Sequence, residues 1–192
     1  MIALVTGASS GIGDAAARRL AGEPDATVVL VARREERLKA LAASLPRATW
    51  VAVDLTADEA PARVREHLEA EHGGRLDLLV NNAGGAWRGA FGDKGYENVR
   101  RAMELSFDAV VRMTEALLPL LRASAPSSIV NVASVDGRVG RAGRGPTRRA
   151  SSPSSGGASR SGSKSARTAS TWASCCPVSC APRGSRPASF PA

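Results

Sequence analysis

Between Val5 and Asp14 the chain reads Thr6-Gly7-Ala8-Ser9-Ser10-Gly11-Ile12-Gly13. An apolar run, Ile2-Ala3-Leu4-Val5, ends there, and an alanine-rich helix-forming stretch from Asp14 to Ala21 begins. The chemistry open to such a turn is phosphate binding. Lacking a Cβ, Gly7 can take a backbone conformation closed to other residues, while Gly11 and Gly13 let a pyrophosphate and a neighbouring strand come close. The unpaired N–H groups at the start of the helix then face the phosphates. Further along, Arg33, Asp54-Leu55, Asn82-Ala83-Gly84 and Ser134 each follow an apolar, strand-like run. Several chemistries are thus delivered to the ends of successive strands.

The elements that must position them alternate between strand and helix patterns, as in an α/β layer fold built on a parallel sheet. Thr27 to Ala32 is continuously apolar and β-branched, as expected of a strand covered on both faces. A helix pattern follows from Glu35 to Leu45, with Leu38, Leu41 and Leu45 on one side and Pro46 as its stop. Trp50 to Val53 reads as the third strand. Ala57 to His72 reads as a largely polar helix closed by Gly73-Gly74, and on it His67 and His72 read as solvated. Leu76 to Val80 is the fourth strand, about Tyr96 to Ala123 one long helix bent near Pro119, and Ser128 to Ala133 a fifth strand. In an open parallel sheet, ligands bind beyond the carboxyl ends of the strands near the switch in strand order. Five strand ends therefore converge on one site.

The 192 residues suffice for one domain with a real core, and their formal net charge is +8. That charge is unevenly spread. Residues 1–142 carry eighteen Lys and Arg against eighteen Asp and Glu, whereas residues 143–192 carry eight basic residues and no acidic one. The same boundary separates a body rich in Leu, Val and Ala from a tail with thirteen Ser, six Pro, a single Val and all three cysteines. A 1–142 nucleotide-binding domain followed by a disordered, low-complexity basic tail over 143–192 is the expected organisation. Neither a secretory leader nor an apolar run of the roughly 18 residues that a membrane helix requires is visible, so a cytoplasmic location with no membrane partner is expected. Cys175, Cys176 and Cys180 lack the paired spacing and fourth ligand of a structural zinc site, and no metal is expected. Without interleaved aromatic residues, the basic tail could give only salt-sensitive, unspecific nucleic-acid binding.

The Thr-Gly-x-x-x-Gly-x-Gly turn, the Asn81-Asn82-Ala83-Gly84 stretch and the strand ending at Ser134, in this order and spacing, resemble the classical short-chain dehydrogenase/reductase family over about residues 1–140. The resemblance implies a Rossmann-like, doubly wound parallel sheet, here with five of the strands and without the sixth and seventh. It implies hydride transfer between a nicotinamide and a small carbonyl or alcohol. Gly7, Ser9, Ser10, Gly11, Ile12 and Gly13 would surround the cofactor's adenosine and pyrophosphate, Asp54 and Leu55 the adenine, and Asn82, Ala83 and Gly84 the ribose and central part. Arg33 stands where members preferring NAD have an acidic residue, and a guanidinium suits a 2′-phosphate, so NADP is expected over NAD. Members of the family commonly pair through the long helix into homo-oligomers. A face with Phe107, Val111 and Leu118 is available for that here, though core packing explains the same stripe.

Family members catalyse with a tyrosine, a lysine four residues later, a serine and an asparagine. Ser134 matches the serine, whose hydroxyl would hold the substrate oxygen. Thirteen residues on, where the tyrosine belongs, stands Thr147; four further, where the lysine belongs, stands Ser151; and Ser106 stands at the asparagine position. An aliphatic hydroxyl is far too weak an acid to replace a phenol tuned by an ammonium. The chain as written is expected to hold a cofactor poorly and to reduce nothing at a useful rate; the alternatives are a non-catalytic NADP-binding pseudoenzyme and a basic-tail nucleic-acid binder.

The loss of pattern after Gly140 reads as a one-base shift in a GC-rich gene near codons 140–145. Residues 146–153 can be written CCT ACG CGG CGA GCA AGT TCG CCC; read from a preceding G, the same bases give Ala-Tyr-Ala-Ala-Ser-Lys-Phe-Ala. A tyrosine and a lysine four apart then fall where Thr147 and Ser151 stand. Residues 172–180 in the same shifted frame can give Gly-Leu-Val-Leu-Pro-Gly-Phe-Val, a strand followed by a Pro-Gly loop. Codon freedom makes either match weak alone. Together, at family spacing in one frame, they are strong.

Overall fold

The computed structural model describes residues 1–85, 91–134 and 173–178. Strand β1 (Ile2–Thr6) leads to helix α1 (Gly11–Ala21), β2 (Thr27–Ala32) to α2 (Glu35–Ala43), and β3 (Ala48–Ala52) to α3 (Ala60–His72). After β4 (Leu78–Asn81) come α4 (Phe91–Met103), a π turn (Glu104–Asp108), α5 (Ala109–Ala123), and β5 (Ser127–Val132). The strands lie in the order β3-β2-β1-β4-β5, all parallel. The order reverses between β1 and β4, beside the glycine turn. This is the Rossmann-like doubly wound sheet that the alternation of patterns implies.

Period-two alternation explains both cores. Along β2, Val29 and Val31 join Leu4, Val64 and Leu68 of α3, and Met113, Leu117 and Leu121 of α5. The intervening Val28 and Leu30 join Val5, Ala17 of α1, and Leu38 and Leu41 of α2 on the opposite face. Leu4, Leu30, Leu68, Leu79 and Leu117 are fully buried. Burying one such side chain contributes about 2 kcal/mol, enough in sum to hold helices on both sides of the strands.

Boundaries shift for local reasons. Helix α3 starts at Ala60, three residues later than the pattern suggests, because Asp54 and Ala57 first form a turn and Pro61 then occupies the first helical turn. Gly73 ends α3 in the left-handed conformation, φ 59°, as its position predicts. The long helix continues through Pro119, but it is not uniform. At Gly95 the backbone turns to φ 61°, ψ −165°, and a π turn interrupts the run at Glu104–Asp108. Met113, Leu117, Leu120 and Leu121 face the core; Phe107 and Leu118 are half-buried, and Val111 is 48% exposed.

The five parallel strands are those that the sequence pattern implies, and the described residues add a further strand, β6 (Ala173–Val178), which pairs antiparallel with β5. Its run of Ala, Ser, Cys and Val fits an extended backbone. Pro177 is tolerated because β6 is the edge strand. Without it β5 would present its own unpaired edge. One expectation is corrected: His67 and His72 are half-buried and share a partner rather than being fully solvated. Both Nε2 atoms lie 2.9 Å from the Thr49 hydroxyl of β3, with the two rings edge to face. Among the described residues no helix is long and apolar enough to cross a membrane.

Burial pushes both imidazoles below the ordinary histidine pKa, with His67 adding to the depression of His72 and Glu71 opposing it in each. Neutral rings share Thr49 as donor and acceptor, whereas two imidazolium rings would both have to donate. A depressed folded-state pKa means that this contribution is complete above the ordinary value of 6.5 and is lost as pH falls below it. Urea melts at pH 7.5 and 5.5 are expected to show lower stability at 5.5, with the difference reduced in the His67→Gln/His72→Gln double variant. Equal slopes in the variant and the wild type would contradict this assignment.

Candidate functional site

At the carboxyl end of β1, Thr6 is buried and its side chain governs the neighbouring strand end. Its hydroxyl donates to the Val80 carbonyl, 3.3 Å away, and accepts the N–H groups of Asn82 at 2.9 Å and Ala83 at 3.0 Å. The Asn82 amide returns the contact, its Nδ2 donating to the Thr6 carbonyl at 2.9 Å. The glycine turn and the Asn82-Ala83-Gly84 stretch therefore form one interlocked unit. A Cβ on Gly7 would lie 2.8 Å from the Ala83 Cα, and one on Gly13 would lie 2.3 Å from the Gly7 carbonyl oxygen and 2.5 Å from Asn82 Nδ2. Gly7 also has φ 68° and Gly11 φ 61°, conformations that L side chains rarely adopt.

An open cleft of about 320 Å³ lies over these strand ends. Ten of the twelve residues expected to hold a dinucleotide line it: Gly7, Ser9, Ser10, Ile12, Arg33, Asp54, Leu55, Asn82, Ala83 and Gly84. Gly11 and Gly13 do not form its wall. Gly11 begins α1 and has open space where a Cβ would be, while Gly13 serves the packing of α1 against Asn82. Ala32, Val53 and Leu105 add apolar wall.

Arg34 is the cleft residue that sequence reasoning passed over. Its guanidinium donates to the Ser9 hydroxyl at 3.0 and 3.2 Å and to the Ser10 hydroxyl at 2.7 Å. Ser10, the N-cap of α1, makes no side-chain capping bond. Adjacent arginines after β2 signal a basic strand end, but not that both reach the cleft. Arg33 approaches Asp54 Oδ2 at 3.6 Å, a loose and exposed ion pair that contributes little to stability. Asp54 Oδ1 accepts the Thr56 N–H at 3.1 Å and hydroxyl at 2.9 Å. Burial raises the Asp54 pKa, but the Thr56 donors and Arg33 outweigh it and hold the carboxyl below its ordinary value. The carboxylate stays charged at neutral pH with Oδ2 toward the cleft side carrying Arg33.

These features fit a dinucleotide. Glycines leave backbone where a pyrophosphate must approach, the start of α1 offers N–H groups, two guanidinium groups offer charge, and a carboxylate offers an acceptor. The substrate side differs. Ser134 lies two residues beyond β5, half-buried, and is not part of the cleft wall. Ser106 sits within the π turn, a helix irregularity often found at functional sites. Thr147 and Ser151 lie outside the described residues.

The family model described as short chain dehydrogenase matches residues 1–146. A Streptomyces violaceoruber protein named as a granaticin polyketide synthase ketoacyl reductase is 42% identical over 139 residues, covering 71% of this chain and 55% of the relative. Meso-2,3-butanediol dehydrogenase of Serratia marcescens is 36% identical over 140 residues, 72% of this chain and 55% of the relative. Among solved structures, a short-chain dehydrogenase from Streptomyces avermitilis superposes with a TM-score of 0.70 at 38% identity, covering 78% of this chain and 55% of that one. The chain thus matches little more than half the length of these proteins.

The close approach of Gly13 makes a direct prediction. Gly13→Ala places a methyl group against backbone and is expected to destabilise the fold by about 2 kcal/mol or more. Gly22→Ala, whose Cβ would meet only ordinary contacts from 3.4 Å outward, is expected to stay within about 1 kcal/mol of wild type. Denaturant melts of the two variants check this; equal midpoints would show that α1 can move away from Asn82.

Proposed function

The chain belongs to the short-chain dehydrogenase family, and on that footing we propose that residues 1–142 form an NADP-binding half whose catalytic half is missing from residues 143–192. The observation that carries this reading is the cleft over the reversal in strand order, with the glycine turn, two arginines and Asp54 around it. Family membership implies NAD(P). The preference for NADP rests on Arg33, whose permanent charge suits a 2′-phosphate, with Arg34 beside it at the cleft wall. Ser9, Ser10 and the first N–H groups of α1 would meet the pyrophosphate, Asp54 Oδ2 would accept the adenine amino group, and Asn82, Ala83 and Gly84 would follow the ribose and the centre of the molecule.

Once bound, the nicotinamide would supply the hydride exchanged with a carbonyl or alcohol carbon. The rest must come from side chains. Ser134 would hold the substrate oxygen by its hydroxyl, and a proton would have to reach that oxygen. Thr147 stands where a phenol should donate it, and Ser151 where an ammonium should lower that phenol's pKa. An aliphatic hydroxyl does not ionise in the useful range, so the written chain binds cofactor without turnover. Its relatives' names point to small-molecule carbonyl and alcohol substrates for an intact enzyme. A cytoplasmic location and pairing through the α4–α5 face, where Val111 is exposed, complete the proposal; a specific nucleic-acid partner and a membrane partner form no part of it.

Origin by a one-base shift near codons 140–145 explains why the body keeps its motifs while the residues beyond lose them. The pseudoenzyme reading shares the binding site and differs only in treating the 143–192 stretch as a genuine product.

Fluorescence titration of the purified chain with NADPH and NADH is expected to show tighter binding of NADPH. Arg33→Asp should weaken NADPH by about ten- to a hundredfold, as loss of a charged hydrogen-bond partner does, and leave NADH little changed. Equal affinities of the wild type for both would remove the NADP preference.

A further inference from the structure

We infer that Arg112, in the first turns of α5, is a positioning residue for the adenine end of the cleft, holding the turn after β3 from outside so that Asp54 is presented to the ligand. The inference rests on the cofactor reading above and extends it to a residue that does not line the cleft. Arg112 reaches from α5 to the Leu55–Thr56–Ala57 backbone. Its NH2 group donates to the Thr56 carbonyl at 3.1 Å and lies 3.5 Å from the Leu55 carbonyl, at the limit of a hydrogen bond, while NH1 donates to Asp58 Oδ1 at 2.7 Å.

The peptide units that Arg112 engages are also held from the other side. Between Leu55 and Thr56 the carbonyl faces Arg112 and the Thr56 N–H donates to Asp54 Oδ1; between Thr56 and Ala57 the carbonyl accepts from Arg112 and the Ala57 N–H donates to the Asp54 carbonyl at 3.0 Å. Each peptide plane is thus pinned at its oxygen by the guanidinium and at its nitrogen by Asp54. With Oδ1 committed to Thr56, the carboxylate has Oδ2 left on the side of Arg33. Without Arg112 the planes could rotate and release the carboxylate from its fixed orientation.

An ordinary surface ion pair does not account for this arrangement. Asp58 is fully exposed, and such pairs contribute little. The Arg112 Nε is buried without a partner, a cost that a freely solvated arginine would avoid. The same helical run also supplies Leu105 to the cleft wall from the π turn. One helix therefore contributes a wall to the cleft and a clamp to the loop that forms the facing part.

The test combines binding with amide hydrogen exchange. Arg112→Met keeps an apolar stem and removes the fork, and Arg112→Lys keeps the charge with a single nitrogen. Adenosine 2′,5′-bisphosphate is the probe, because it reports on the adenine end alone. Arg112→Met is expected to weaken it by about tenfold, Arg112→Lys by less, and the exposed Asp58→Asn hardly at all. In the free protein, exchange at Thr56 and Ala57 should quicken in Arg112→Met while that of Ala8, bonded to Val31, stays unchanged. Unaltered binding, or unaltered exchange at Thr56 and Ala57, overturns the inference. A wild-type chain that fails to bind the bisphosphate defeats the cofactor reading instead, and exchange then decides the role of Arg112 alone. Should Arg112→Met unfold the chain, seen as faster exchange at Ala8 as well, Arg112→Lys carries the same comparison.

Discussion

The Thr6 hydroxyl and the Asn82 amide, crossing between β1 and the end of β4, are the contact on which the site depends. Thr6 Oγ1 holds two backbone N–H groups of the neighbouring strand end, and Asn82 Nδ2 closes the loop on the Thr6 carbonyl. In the buried space between strand ends, a polar group left unpaired costs about 1–3 kcal/mol, so these bonds hold together or fail together. They set the position of Gly7, against whose Cα the Ala83 backbone packs, and of Gly13, which brings α1 onto Asn82. The start of α1 and the wall made by Ala83 and Gly84 are consequently fixed relative to one another. A ligand meeting the helix N–H groups meets that wall in the same place.

The sheet explains why the polar residues gather there. Parallel strands deliver their carboxyl ends to one side, and the reversal of order between β1 and β4 leaves a gap beside the glycine turn. Asn81, inside β4, reinforces that edge by donating to Thr114 of α5 and to Asn131 of β5. The cleft is thus framed by buried hydrogen bonds below and by exposed charge above, where Arg33, Arg34 and Asp54 meet solvent.

Most of this was legible because it depends on local pattern. The apolar runs of β1, β2 and β4 and the glycine spacing can each be read without knowing the partners, and ten of the twelve expected cofactor residues line one cleft. What remained hidden depends on tertiary contact. Arg34 and Arg33 are indistinguishable as letters, yet only the fold brings Arg34 to the Ser9 and Ser10 hydroxyls. His67 and His72, five residues apart, share Thr49 only because β3 runs beneath α3. Strand β6 was illegible for another reason: Ser, Cys and Pro give no alternating signal, and its pairing uses the free edge of β5 rather than a face of its own.

A nucleotide-binding half without its catalytic half is the central claim, and it separates binding from turnover. The most direct measurement sets the written chain beside the product of the same gene with its frame restored by one base near codons 140–145, following NADPH binding and carbonyl-dependent NADPH oxidation in both. The account predicts saturable NADPH binding by both proteins and oxidation by the restored product alone. Oxidation by the written chain that Ser134→Ala abolishes, or a written chain that binds no NADPH, would contradict it.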